Sequence, residues 1–398
     1  MRHLSIVALL LLSCGPLVAQ VDSVAIVGGD AIDYRYTPID RTHVGRDAAR
    51  SGRSFLNYIT GEPQYIGENV VLSTFAGLGY SSETSLRIGL LGQISYRPKG
   101  VGLDVQASTL SLSGAVSISG YYRVSLLGNN LLGRGNHRLS YCVDIDSQPS
   151  DLWGFTYEQS LHGIAGSYTA KRYLAWLRYN YAILRKLYVG VYADYRYLNT
   201  VNADDRVVAL LGERVRSASV AGAGVNVAFD TRDITTNASK GLYVAAEFVM
   251  RPAFANSLNI NMWRLSATMD YYQRLWRGAT LAFDLHGEFH SQGTPWLLRA
   301  QLGGESRMRG YYLGRFNGEN LISAQVELRQ HIWYRLGGVV WGGAGLIYSA
   351  DDPFAWRKTL PTYGLGFRWM LHERSNLRID VGFGRKSYAI LLGINESF

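Results

Sequence analysis

Cysteine is nearly absent from this chain: Cys14 falls in an apolar leader, and Cys142 stands alone in the remainder. No intramolecular disulfide and no cysteine-based metal cluster can therefore form past the leader. Proline is scarce, at 9 residues in 398, and no Ser- or Pro-rich linker interrupts the sequence, so one large domain fits better than two. Beyond the leader no uninterrupted apolar stretch reaches the ~20 residues of a membrane helix, which argues against a helical membrane protein. Catalytic signatures are missing too. There is no Gly-x-Ser-x-Gly, no His-Glu-x-x-His and no phosphate-binding glycine loop ahead of a helix. The chain reads as non-enzymatic, with no catalytic residue, no cofactor and no metal site.

What is present begins with the compartment. Met1-Arg2-His3 is a short basic start, residues 4–12 are apolar apart from Ser5, and Ala19 offers a small residue before Gln20: the parts of a secretory signal peptide spanning 1–19. Ser13, Gly15 and Pro16 cut the apolar run too short for a membrane anchor. Lipoprotein processing at Cys14 is an alternative, since Leu11-Leu12-Ser13-Cys14 loosely resembles a lipobox, and it ranks below cleavage after Ala19. The net charge of +9 could point to nucleic acid, but the arginines are dispersed rather than clustered in a module, and export argues against that partner. The charge is read instead as lumen and loop lining that favours anionic headgroups of outer-membrane lipids.

Period-two alternation runs through most of the chain, as β-strands with one apolar and one polar face require. In 322–329, Ile322, Ala324, Val326 and Leu328 share one face, and Ser323, Gln325, Glu327 and Arg329 the other. In 377–383, Leu377, Ile379, Val381 and Phe383 oppose Arg378, Asp380 and Gly382. Segments such as 187–196, 263–272 and 281–290 approach the ~9–11 residues of a tilted transmembrane strand, and Tyr and Trp sit near several ends. Short links such as 184–186 and 274–278 interleave with long ones such as 200–216, 291–320 and 349–361, the pattern of bacterial barrels with short periplasmic turns. From Val70 to Phe398 this gives a closed, all-β, transmembrane antiparallel barrel of about sixteen strands. Residues 101–127 can be divided in more than one way. Residues 20–68 do not alternate and form a short periplasmic segment ahead of a barrel at 69–398; within it, 41–59 reads either as a basic amphipathic helix or as a partly ordered tail.

The last strand places Ile390, Leu392, Ile394 and Phe398 on the lipid side. A terminal aromatic closing such a strand resembles the C-terminal assembly signal of outer-membrane proteins, from which Glu396 departs. His286, Glu288 and His290 share a strand face and could ligate a metal, but a lumen-facing hydrogen-bonded row is the preferred reading, since strand alternation makes such sets in any polar barrel interior. Asp230 and Asp233 could bind calcium but suit a turn stabilised with Arg232 better.

Gly303-Gly304-Glu305-Ser306-Arg307-Met308-Arg309-Gly310-Tyr311 resembles the Arg-Gly-Phe/Tyr motif of the Omp85 superfamily, in particular its BamA and TamA branch. Asp230-Thr231-Arg232-Asp233, Lys240-Gly241-Leu242-Tyr243 and the end of the chain from Tyr363 also resemble it. The resemblance implies a bacterial outer-membrane barrel whose sixth extracellular loop folds inward, carrying Arg309, Gly310 and Tyr311. It implies insertion of other barrels or passage of polypeptide across the membrane, alongside other outer-membrane or periplasmic assembly proteins. Family members usually carry periplasmic POTRA domains ahead of the barrel, and this sequence is similar to barrel-only surface antigens.

With the loop placed inside by that resemblance, the alternation independently turns Glu327 and Asp380 towards the lumen as candidate partners of Arg309. The stretch Trp341-Gly342-Gly343-Ala344-Gly345, where related barrels often carry a further acid, has none. The competing view is a solvated loop arginine. Two functions follow. A barrel with an imperfect terminal seam can admit an incoming strand, and Gly77 and Gly79 either weaken that seam or serve strand curvature. A porin-like passive channel with an arginine-lined lumen is the alternative, and the position of loop 291–320 discriminates between them.

Overall fold

The computed structural model describes residues 64–67, 70–81, 84–96, 108–132, 136–233, 237–372, 375–394 and 396–398. The expected signal peptide, Cys14, the 41–59 segment and nearly all of the expected N-terminal segment lie outside the described residues.

Sixteen strands form a closed antiparallel barrel. They are β1 (Val70–Ser81), β2 (Ser85–Tyr96), β3 (Ser108–Ser117), β4 (Tyr122–Leu132), β5 (His137–Leu152), β6 (Gly166–Leu184), β7 (Leu187–Val201), β8 (Ser217–Asp230), β9 (Gly241–Arg251), β10 (Met262–Arg274), β11 (Ala279–His290), β12 (Asn320–Trp333), β13 (Leu336–Tyr348), β14 (Leu360–His372), β15 (Ser375–Gly384) and β16 (Ser387–Ile394). The segment left ambiguous in the sequence resolves into β3 and β4 around a turn at 118–121. No helix among the described residues is long and apolar enough to cross a membrane.

The alternation fixes which face turns outward, because a shift of one residue would exchange the faces. On β12, Val326 is 43% exposed, whereas Ser323, Gln325, Glu327 and Arg329 are buried. Its register opposite β13 pairs Glu327 with Trp341 and Ser323 with Gly345, so those positions share the inner face. Phe383 and Val326 stand outside, as a barrel with an apolar outer band requires.

Loop lengths are less regular than expected. Long connections at 153–165, 202–216, 252–261, 291–319 and 349–359 share one end, but so do the tight links at 82–84, 118–121 and 385–386. The opposite end has short turns at 185–186, 275–278 and 334–335 together with longer ones at 97–107 and 231–240. The wall is also uneven: β6 has 19 residues and β16 only 8.

Closure is narrow. The β15–β16 ladder runs from Leu377↔Ile394 to Gly384↔Ser387, while among the described residues β16 meets β1 through the single register pair Leu392↔Tyr80. A short strand, Gln64–Gly67, pairs antiparallel with 70–72 at the other end of β1.

Candidate functional site

The connection 291–319 is the sixth at the long-loop end. Ala300–Leu302 and Phe316–Gly318 pair antiparallel and make it an arm. At its tip the chain reverses through Gly303 and Gly304, at φ 109° and 103°, where a side chain would be strained. Ala300, Leu302, Met308, Tyr311 and Phe316 pack with Leu321, Ile347 and Leu360 in one buried apolar cluster. Leu321 and Ile347 are register partners on the inner face of the wall, so the apolar side of the arm is satisfied there.

Below this cluster the arm turns polar. Arg309 is completely buried. One of its Nη atoms donates to Asp380 Oδ2 at 2.8 Å and the other to Glu327 Oε2, so the structure brings together the three residues that the sequence singled out. Its guanidinium lies over the Trp341 ring, with Cζ 3.8 Å from the centroid. A planar fork can serve two carboxylates and an aromatic face at once, which an ammonium cannot. Further arginines complete the network. Arg329 Nε donates to Glu327 Oε1 at 2.7 Å, and Arg368 donates both to Asp380 and, at 2.8 Å, to Glu396. Each carboxylate keeps at least two donors, as buried charge demands.

Gly310 and Tyr311 have steric and hydrogen-bonding parts. A Cβ on Gly310 would fall 2.3 Å from the Phe383 backbone, and one on Gly382 would fall 2.5 Å from the Arg309 carbonyl oxygen, so the two backbones touch because both positions are glycine. Tyr311 donates through its hydroxyl to the Pro361 carbonyl at 2.7 Å and accepts from the Arg385 N–H at 2.7 Å. Towards the tip, Arg307 clasps Asp284 at 2.7 Å, and Gln325 donates to the Ser306 carbonyl at 3.2 Å.

Glu305 joins the two sides of the seam. Its backbone carbonyl accepts from Arg378 of β15 at 3.0 Å, and its carboxylate accepts from Arg87 of β2. Both arginines pass over a glycine of a terminal strand: a Cβ on Gly79 would meet Arg87 Nε at 2.6 Å, and one on Gly393 would meet Arg378 Nη2 at 3.1 Å.

A family model for the Omp85 superfamily domain matches residues 108–398. The chain belongs to the Omp85 superfamily. Family and fold together indicate a bacterial outer-membrane protein. Among solved structures, the Omp85 barrel is similar to BamA from Haemophilus ducreyi lacking POTRA domains 1–3, with 13% identity and TM-score 0.56 over 81% of this chain and 70% of that one. It is also similar to CdiB from Acinetobacter baumannii (14% identity, TM-score 0.53, 83% of this chain and 60% of that) and CdiB from Escherichia coli (15%, 0.57, 84% and 64%). The chain thus spans less than two thirds of either CdiB, and at these identities the likeness is one of fold. No curated protein matches the sequence.

One expectation for the Omp85 barrel fails. Phe398 does not face lipid. It packs beside Tyr272, 6.3 Å between ring centroids, with the Arg329 guanidinium 5.2 Å from its ring and its carbonyl accepting from Arg329 at 3.0 Å. The ladder ends at Ile394, so alternation cannot be extended to the last residues. Ile390 is exposed, and the Ile394 side chain lies outside the described residues. Glu396, the departure from the family pattern, is drawn inward by Arg368 and by Asn376 Nδ2 at 2.6 Å.

The weaker candidates are hydrogen-bonded to neighbouring groups. His290 bonds Glu288 at 2.9 Å and His286 bonds Thr268 at 2.9 Å, and no group of three metal-ligating side chains occurs among the described residues. Asp230 holds Arg232 through three hydrogen bonds, one from its backbone N–H and two from its guanidinium, and Asp233 accepts from the Ser239 N–H at 2.9 Å. Sequence reasoning missed Trp341, Arg368, and the Arg87–Glu305 pair. Only Trp341 left a usable signal, as the one large residue in the glycine-rich stretch whose alternation turns it inward.

Proposed function

We propose that this Omp85 barrel assists the insertion or translocation of outer-membrane polypeptides, with the β16–β1 seam as the place where an incoming strand pairs. The observation that carries this reading is the single Leu392↔Tyr80 pair closing a wall whose other ladders are extended. Below Tyr80 the β1 edge has no β16 partner among the described residues until the short Gln64–Gly67 strand, and an unpaired edge is a template for strand addition. The arm 303–311 is read as the inner support that keeps the barrel in shape while the seam changes, beside partner proteins of the assembly machinery.

A porin-like channel is less well supported. The lumen arginines are neutralised by carboxylates rather than offered to anions: Arg172 by Asp146 at 2.8 Å, Arg251 by Asp194 at 2.6 Å, Arg264 by Glu247 at 2.5 Å. At the long-loop end, Leu152, Phe155, Val207, Leu211 and Trp296 pack together from three stretches of the chain.

Depleting the protein and taking a census of outer-membrane proteins tests the proposal. Reduced levels of barrel proteins are expected. Complementation with Tyr80→Cys/Leu392→Cys in a Cys142→Ser background should fail when the cross-link forms and recover on reduction. An unchanged census with a large steady conductance in planar bilayers would overturn the reading in favour of the channel.

A further inference from the structure

Three turns at the short-turn end repeat one arrangement of residues. Ile183 and Leu184 precede Arg185 and Lys186; Leu275 and Trp276 precede Arg277; Trp333 and Tyr334 precede Arg335. The apolar members are exposed, Leu184 at 63%, Trp276 at 55% and Trp333 at 71%. Arg185, Lys186, Arg277 and Arg335 have no ion pair among the described residues.

These turns form one arc. The Asp230 N–H donates to the Lys186 carbonyl at 3.0 Å, Arg274 donates to Ser239 Oγ at 2.8 Å, and the His331 N–H donates to the Gly278 carbonyl at 2.7 Å, linking each turn to the next around the rim. The fourth turn, 231–240, contributes exposed Lys240 and exposed Asp233, whose carboxylate accepts from the Ser239 N–H at 2.9 Å and from its hydroxyl, while Asp230 at the end of β8 is taken by Arg232. The opposite end is mixed in sign: Asp204, Asp205 and Glu213 neighbour Arg206 and Arg214, and Lys358 is paired with Asp352.

We propose that this arc binds the phosphodiester headgroups of anionic glycerophospholipids in the leaflet that the short turns face, which in outer-membrane barrels is the periplasmic one. Tryptophan and tyrosine settle at the boundary between hydrocarbon and headgroups, and a cation one residue further along stands at the depth of the phosphates. A soluble acidic partner would match the charges but would leave Leu184, Trp276 and Trp333 beside it without an apolar complement. The inference goes beyond the insertion reading and does not depend on it, since it concerns the barrel and its lipid alone.

The full chain, refolded in detergent and offered equimolar phosphatidylglycerol and phosphatidylcholine, is examined by native mass spectrometry. Preferential retention of phosphatidylglycerol is expected, weakening as salt rises. In Arg185→Gln/Lys186→Gln/Arg277→Gln/Arg335→Gln the preference should fall about tenfold or more. Arg206→Gln/Arg214→Gln at the other end should leave it unchanged, and so should the charge-keeping Arg277→Lys/Arg335→Lys. Should the fourfold variant not refold, Arg277→Gln/Arg335→Gln gives a smaller loss in the same direction. Equal retention of the two lipids by the native chain, an unchanged preference in the Gln variants, or binding of a poly-glutamate probe without lipid preference would each overturn the proposal.

Discussion

Arg309 stacks on Trp341, guanidinium over indole, while bonding Glu327 and Asp380 on either side. Stripping a buried carboxylate of its partner costs about 3–5 kcal/mol. Here Glu327 keeps Arg329 and Asp380 keeps Arg368, so Arg309→Ala should destabilise the arm by less than that. Arg309→Lys should loosen it too, because one ammonium cannot reach both acids in the same plane. Limited proteolysis at 303–311 should accelerate in both variants while the heat-modifiable folded band persists on gels. Unchanged cleavage in Arg309→Lys would show that charge alone suffices.

Trp341→Leu removes the stacking face and keeps the volume apolar. A desolvated cation–π contact is worth about 2 kcal/mol. The variant should cleave faster at the arm than the native chain but more slowly than Arg309→Ala, as read from the same digestion.

Reversing one member of the Arg87–Glu305 pair, as Arg87→Glu or Glu305→Arg, should free the β2 side of the seam from the arm. Cross-linking of Tyr80→Cys with Leu392→Cys should then drop several-fold, and the double reversal should restore it. Equal cross-linking in all four backgrounds would make the pair a bystander.

Gly310→Ala puts a methyl into the backbone of β15. The arm must lift away from the strand to accommodate it, so the substitution should resemble Arg309→Ala in proteolysis although it leaves every charge in place. Gly342, where nothing lies within 4 Å, is the control: Gly342→Ala should be silent.

Asp204 stands at the N-terminal end of the helix Asp205–Leu211 in loop 202–216 and ties it to β6: the Ser167 N–H and hydroxyl, 2.8 and 2.9 Å away, hold its carboxylate below the usual range. A lowered carboxylate pKa means that the anchor is complete above the ordinary Asp value of about 3.9 and is lost as pH falls through the lower folded value. Protease cuts in 202–216 should therefore appear only in acid, at a pH that Ser167→Ala shifts upward.

Period-two alternation was enough to place Glu327, Asp380 and Val326 on their faces, because strand geometry leaves a side chain only two directions. It failed at Phe398 and Glu396, which follow the last ladder residue and answer to Arg329 and Arg368 instead. Trp341 carries no charge, so a search for acids passes over it, although an inward indole offers its face to an arginine whose N–H groups are bonded elsewhere. The Arg87–Glu305 contact spans 218 positions of sequence, and no periodicity reports on a pair that remote. Loop lengths misled near the seam, where short strands are joined by tight links at both ends.

The uneven wall bears on the surrounding bilayer. A tilted strand rises roughly 2.3–2.7 Å along the membrane normal per residue, so the 8 residues of β16 reach about 20 Å where the 19 of β6 reach more than twice that. An apolar band of about 25 Å is not covered by the shorter strand. Lipid beside β16 has to thin to meet it, and the tension of that thinned patch falls on the side of the barrel closed by the Leu392↔Tyr80 pair.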